Sequence, residues 1–144
     1  MEKESHRKII IPMIQITLAG IVLMGLAYTL YALLHIIVTR VSLAVAATAI
    51  PTAYTRAVFA LIMVLAYWLV SRTHWKDLYK SACLTVPTAS LILAAGIGLY
   101  QWPAAAWAAK LVMLAFIMLF LYKARKTWMY FYAAAIAALV AMIY

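Results

Sequence analysis

Three acids, one cysteine and three histidines are all that the sequence offers for acid–base, nucleophilic or metal chemistry. Glu2, Glu4 and Asp77 all lie in polar stretches, so no apolar run contains a carboxylate. Paired-carboxylate catalysis therefore has no residues to run on. A coupled transporter's intramembrane acid is missing as well. Cys83 stands alone, which rules out an internal disulfide, a thiolate zinc site and a Cys-x-x-Cys redox pair. As a nucleophile it would need a neighbouring base, and only His74 in the preceding polar stretch offers one. We read Cys83 as a small apolar residue. His35 and His74 fall toward opposite ends of the apolar runs, so that pair cannot clamp a haem within one chain. These residues call for no metal and no cofactor, and catalysis is not expected.

Three other sets could still do something. Thr17, Met24, Tyr28, Tyr31 and His35, with Thr39 beyond, recur at helical spacing and share one face. Such a face is either the ordinary bundle-facing side of a helix or a polar lining for a ligand or quinone headgroup. Arg40, Arg56 and Lys110 form a second set, with His35 and Tyr54 at similar depth. They have no acid to pair with. A phosphate or carboxylate from a ligand, a lipid or another subunit would suit them; the plainer alternative is three separate cations that snorkel to headgroups. The third set, Ser81, Cys83, Thr85, Thr88 and Ser90, surrounds Pro87. Its hydroxyls are expected to bond back to the helix around the proline.

The elements that carry these residues follow from composition. The 144 residues are 70% hydrophobic and 10% charged, against about 45–50% and about 25% in water-soluble domains. So much apolar surface cannot be buried inside so small a domain, and lipid is its natural solvent. Helices are expected at about 9–38, 53–71, 82–102, 104–122 and 128–144, as a single all-α transmembrane bundle of five crossings. Four crossings plus an interfacial last helix is the alternative. Residues 41–52, apolar but rich in Ala, Thr and Ser, read as a short interfacial segment ahead of helix 2. The opening MEKESHRK and Ala44-Val45-Ala46 imitate a secretory signal. The apolar run between them far exceeds the roughly 7–15 residues of such a core, and it reads as a retained helix. Small residues four apart, Ser90-Ala94-Gly98 and Ala133-Ala137-Ala141, mark possible helix–helix seams.

Arg72 to Lys80 is the strongly polar break between the apolar runs, and the basic residues around it set the orientation. Lys3, Arg7, Lys8, Arg72, Lys76, Lys80, Lys123, Arg125 and Lys126 fall on one side of a five-crossing chain. They are nine of the twelve basic residues. That bias places the N-terminus in the cytoplasm and the C-terminus outside. The net charge of +9 is thus an orientation signal in a plasma (inner) membrane protein, and no nucleic-acid partner is expected. The leading functional expectation is a non-enzymatic subunit or assembly partner, working in membrane lipid with copies of itself or with other subunits. The alternative is a small oligomeric transporter or flippase for an anionic lipid-linked or phosphate-bearing solute. A membrane-embedded enzyme fits least.

Overall fold

The computed structural model describes residues 2–48 and 50–143, with side chains from residue 6 onward. Every regular element among them is a helix: α1 (Glu2–Ala46), α2 (Thr52–Ser71), α3 (Asp77–Ile97), α4 (Pro103–Lys123) and α5 (Trp128–Ile143). Helices α1 to α4 are long and apolar enough to cross a membrane. Helix α5, at 16 residues, rises about 24 Å and is shorter than the ~30 Å hydrocarbon core. Tyr144, where the sequence reading ends this helix, lies outside the described residues.

The chain is arranged around α3, which touches each of the other four helices. Its most extensive pairing is with α5, and α4 also touches α5. Two side chains fix the directions. Tyr130 at the start of α5 donates to Asp77 Oδ1 at the start of α3 (3.1 Å). Near the other end, Lys110 Nζ on α4 donates to the Ala141 carbonyl of α5 (3.2 Å). Helices α3 and α5 therefore run together, antiparallel to α4.

Burial inverts the pattern of a water-soluble core. Ser81, Thr85, Thr88, Ile92 and Gly96 form the innermost stripe of α3, and Ala133, Ala134, Ala137, Ala138 and Ala141 face it from α5. Large aliphatic and aromatic side chains such as Leu18, Leu61, Val112 and Phe116 point outward, each more than three-fifths exposed. Where the solvent is hydrocarbon, burying Leu gains nothing over leaving it outside. Small residues let backbones approach and gain dispersion contacts. At Gly20 of α1 a Cβ would lie 2.9 Å from Thr85 Cγ2, so the glycine sets the α1–α3 spacing. At Gly96 a Cβ would run into the Lys110 stem, which lies across that glycine. Hydroxyls on α3 bond back to their own helix, Ser81 to the Leu78 carbonyl (2.8 Å) and Thr85 to that of Ala82 (2.7 Å). The helix runs through Pro87 without interruption.

Several expected boundaries move. Residues 41–46, expected within a short separate segment, continue α1 to Ala46, aided by Ser42 donating to the Thr39 carbonyl (3.0 Å). Val41 to Ala46 contain no breaker, and the helix stops at Ala47, whose φ of 52° is left-handed. Pro51, extended at ψ 136°, then launches α2. Helix α3 begins at Asp77 rather than near 82, since a carboxylate in the first turn complements the helix dipole. It ends at Ile97 rather than 102, and successive turns carry the chain to Pro103, the first residue of α4. Of the two small-residue stripes, the α5 one is buried. On α3, Ser90 and Ala94 are half-buried and Gly98 is exposed, because the true inner stripe is rotated around the helix.

Candidate functional site

Tyr31 of α1 and Arg56 of α2 anchor the candidate site. The Arg56 guanidinium carbon lies 4.9 Å from the centre of the Tyr31 ring. Tyr31 stacks against His35 one turn further along α1 (centroids 5.9 Å), and Phe59 meets its edge (5.5 Å). The local sequence explains the arrangement. Tyr31 and His35 are one helical turn apart on α1, as are Thr55 and Phe59 on α2, so each pair projects from one side of its helix. Tyr31, Thr55 and Phe59 are all more than nine-tenths buried.

This cluster collects the molecule's unpaired polarity. Tyr31 Oη, His35 Nδ1, Thr55 Oγ1 and Arg56 Nε are buried without a hydrogen-bond partner among the described residues. A buried polar group left unpaired costs about 1–3 kcal/mol, and a charged one more. Thr17, on the same helix as Tyr31, is satisfied by contrast: it donates to the Met13 carbonyl (2.8 Å) and shares a hydrogen bond with Tyr132 (3.0 Å). No salt bridge to Arg56 exists among the described residues. Asp77 sits at the far end of the bundle with Tyr130. Glu4 precedes Tyr31 by roughly 40 Å along α1 at 1.5 Å per residue.

Beside the cluster lies a half-open cavity of about 460 Å³ between α1, α2, α3 and α5. Small-ligand sites span roughly 300–1,000 Å³. Arg56 and Tyr31 line one end; Met24, Phe59, Val86, Leu93 and Ile143 contribute to walls that are almost wholly apolar. Gly25 is also part of the lining, and a Cβ there would meet nothing within 4 Å. The cavity therefore joins a cation and unpaired donors to a hydrocarbon-compatible trough.

The structure brings together some of the residues singled out from sequence and separates others. His35, Tyr31 and Arg56 meet, and Tyr28 lines the same cavity. Lys110 does not join them: it is held by the Ala141 carbonyl and lies 5.7 Å from the Trp107 ring. Arg40 is exposed, roughly 13 Å beyond Tyr31 along α1 at 1.5 Å per residue. Tyr54 is 68% exposed. Thr17 belongs to a separate contact with α5. Sequence reasoning missed Thr55, Phe59 and Gly25. Thr55 and Phe59 flank Arg56 at helical spacing and could have been read from it; nothing near Gly25 signals an opening. No three His, Cys, Asp or Glu residues come together as metal ligands among the described residues. No family model, curated protein or solved structure matches the chain.

Proposed function

We propose that the chain is a multi-pass plasma-membrane protein that acts without catalysis, holding a lipid-like molecule in the cavity between α1, α2, α3 and α5. The single observation that carries this reading is an apolar trough ending in buried, unpaired polar groups. Such a shape suits an amphiphile whose chain lies along the trough and whose head reaches Arg56 and Tyr31. Four long apolar helices with large aliphatic side chains facing outward support residence in a bilayer. The cytoplasmic N-terminus and five crossings rest on the charge bias of the loops. Binding of this kind serves a carrier or flippase as well as a lipid-dependent subunit.

Gly25→Leu tests it. The added side chain enters the cavity, and its first carbon clashes with nothing. Lipid that copurifies with the parent protein in mild detergent should be lost from the variant, with its elution size and helix content unchanged. Equal lipid in both would remove the cavity as the binding site.

A second reading, attachment to another membrane subunit or a second copy, is favoured by the length of α1. Its 45 residues rise about 68 Å, far more than the ~30 Å core. Val41, Leu43 and Val45 stay exposed in its last turns, Val45 by 82%. Crosslinking from a cysteine placed at Val45 in native membranes tests this reading. A partner gives a discrete adduct; labelling of the bare monomer alone would argue against one.

A further inference from the structure

We infer that the polar end of the cavity is a seat for an oxyanion, so that the molecule held there is a single-chain lipid ending in a phosphate or carboxylate. This rests on the reading of the cavity as a lipid site and specifies the head that the site selects. Two of the four unpaired groups, Tyr31 O–H and Arg56 Nε–H, are donors on residues that line the cavity; Thr55 O–H, next to Arg56 in sequence, and His35 Nδ1, on the ring stacked against Tyr31, lie outside the lining. One of these donors carries a fixed positive charge. A neutral head such as a glycerol hydroxyl would satisfy a donor or two and leave the guanidinium uncompensated. A phosphate or carboxylate presents several acceptor lone pairs and the opposite charge, and charge-assisted hydrogen bonds to it are the strong ones.

The surroundings argue the same way. Arg56 lies about one turn inside α2, near the helix N-terminus, where the backbone dipole also favours an anion. The Tyr31 ring lies close to the guanidinium, and Arg56 Nε has no hydrogen-bond partner among the described residues. The trough is modest in volume, which favours one chain over two.

The test compares two ligands that share a chain and differ in the head. Oleoyl lysophosphatidate and monooleoylglycerol are titrated into the full-length protein in nanodiscs of neutral phosphatidylcholine. The proteins are the parent, Arg56→Gln, Arg56→Lys and Gly25→Leu. Lysophosphatidate should bind the parent at least about tenfold tighter than the glycerol, the factor expected for one charged hydrogen bond. Arg56→Gln should erase that preference, weakening lysophosphatidate far more than the glycerol. Arg56→Lys should restore part of it, because charge survives without the fork geometry. Gly25→Leu should abolish binding of both.

Each contrary result has a distinct meaning. Equal affinity of the parent for the two ligands, with both blocked by Gly25→Leu, overturns the oxyanion seat and leaves the lipid cavity standing. Binding that is indifferent to Gly25→Leu overturns both. Inorganic phosphate is the third probe: if it alone fills the site as tightly as lysophosphatidate, the occupant is a free anion and the lipid assignment fails.

Discussion

Lys110 and Arg56 began with the same claim on a function, and the structure separates them by what each cation touches. Lys110 Nζ has an acceptor in the Ala141 carbonyl, near the C-terminal end of α5 where a cation is favoured. Arg56 Nε has none. Spacing could say that both cations lacked an acid; it could not say which one had found a carbonyl across helices. Lys110→Met should consequently be close to neutral. It loses a charged hydrogen bond of about 1.5–3 kcal/mol and removes a half-buried charge whose cost is about 2.5–3.5 kcal/mol at mid-bilayer and less toward the ends. Thermal unfolding in detergent and copurifying lipid are both expected to match the parent; loss of lipid would return Lys110 to the site. A second residue-scale expectation concerns Arg125, which follows α4 with φ 49°. The Lys126 N–H reaches back to the Leu121 carbonyl (3.2 Å) in the pattern that usually employs glycine. Arg125→Gly should stabilise by about 1 kcal/mol through relief of the left-handed backbone, seen as a rise in melting temperature.

At the scale of the element, the helices were legible and their faces only partly so. Long apolar runs punctuated by Pro51, the Arg72 turn, Pro103 and the Lys123–Lys126 knot leave little freedom over how many helices form. The buried stripe of α3 was harder. Ser90, Ala94 and Gly98 are as small and as evenly spaced as the true stripe of Ser81, Thr85, Thr88, Ile92 and Gly96, so composition alone does not choose the rotation. What chooses it is which face α1, α4 and α5 can approach together. Two glycines of α1 expose this contrast. Gly20 is buried against Thr85, whereas Gly25 faces open space. In a helix Gly→Ala gains about 0.8–1 kcal/mol of propensity, and overpacking costs about 1–3 kcal/mol. Gly25→Ala should therefore stabilise and Gly20→Ala destabilise. Thr85→Ser, which removes the offending methyl group, should rescue Gly20→Ala in a double-mutant cycle. Additive effects of the two changes would mean that the close contact at Gly20 does not govern the spacing.

At the scale of the whole molecule, one end of the bundle gathers the starts of α1, α3 and α5 with the turns after α2 and α4, and it carries most of the positive charge. Lys80 reaches back to the Ser71 carbonyl there (3.0 Å), tying α2 to α3. We expect that end to face the cytoplasm, because basic loops resist translocation. The critical element is α5, whose short rise must be matched by local thinning or by its flanking aromatic and basic residues if it is to cross. Trp128 and Lys126 at its start are placed for that. In a Cys83→Ala background, single cysteines at Thr48, His74, Gln101 and Thr127 occupy exposed positions in the four connections. A membrane-impermeant maleimide applied to intact cells should label Thr48→Cys and Gln101→Cys, and should reach His74→Cys and Thr127→Cys only after permeabilisation. A cysteine appended after Tyr144 decides the last helix. Labelled from outside, it establishes the fifth crossing; labelled only after permeabilisation, it leaves four crossings with α5 returning to the side from which it started. Lys110, early in α4, holds the Ala141 carbonyl, so the end of α5 lies toward the connection that carries Gln101. External labelling after Tyr144 is accordingly the expected result.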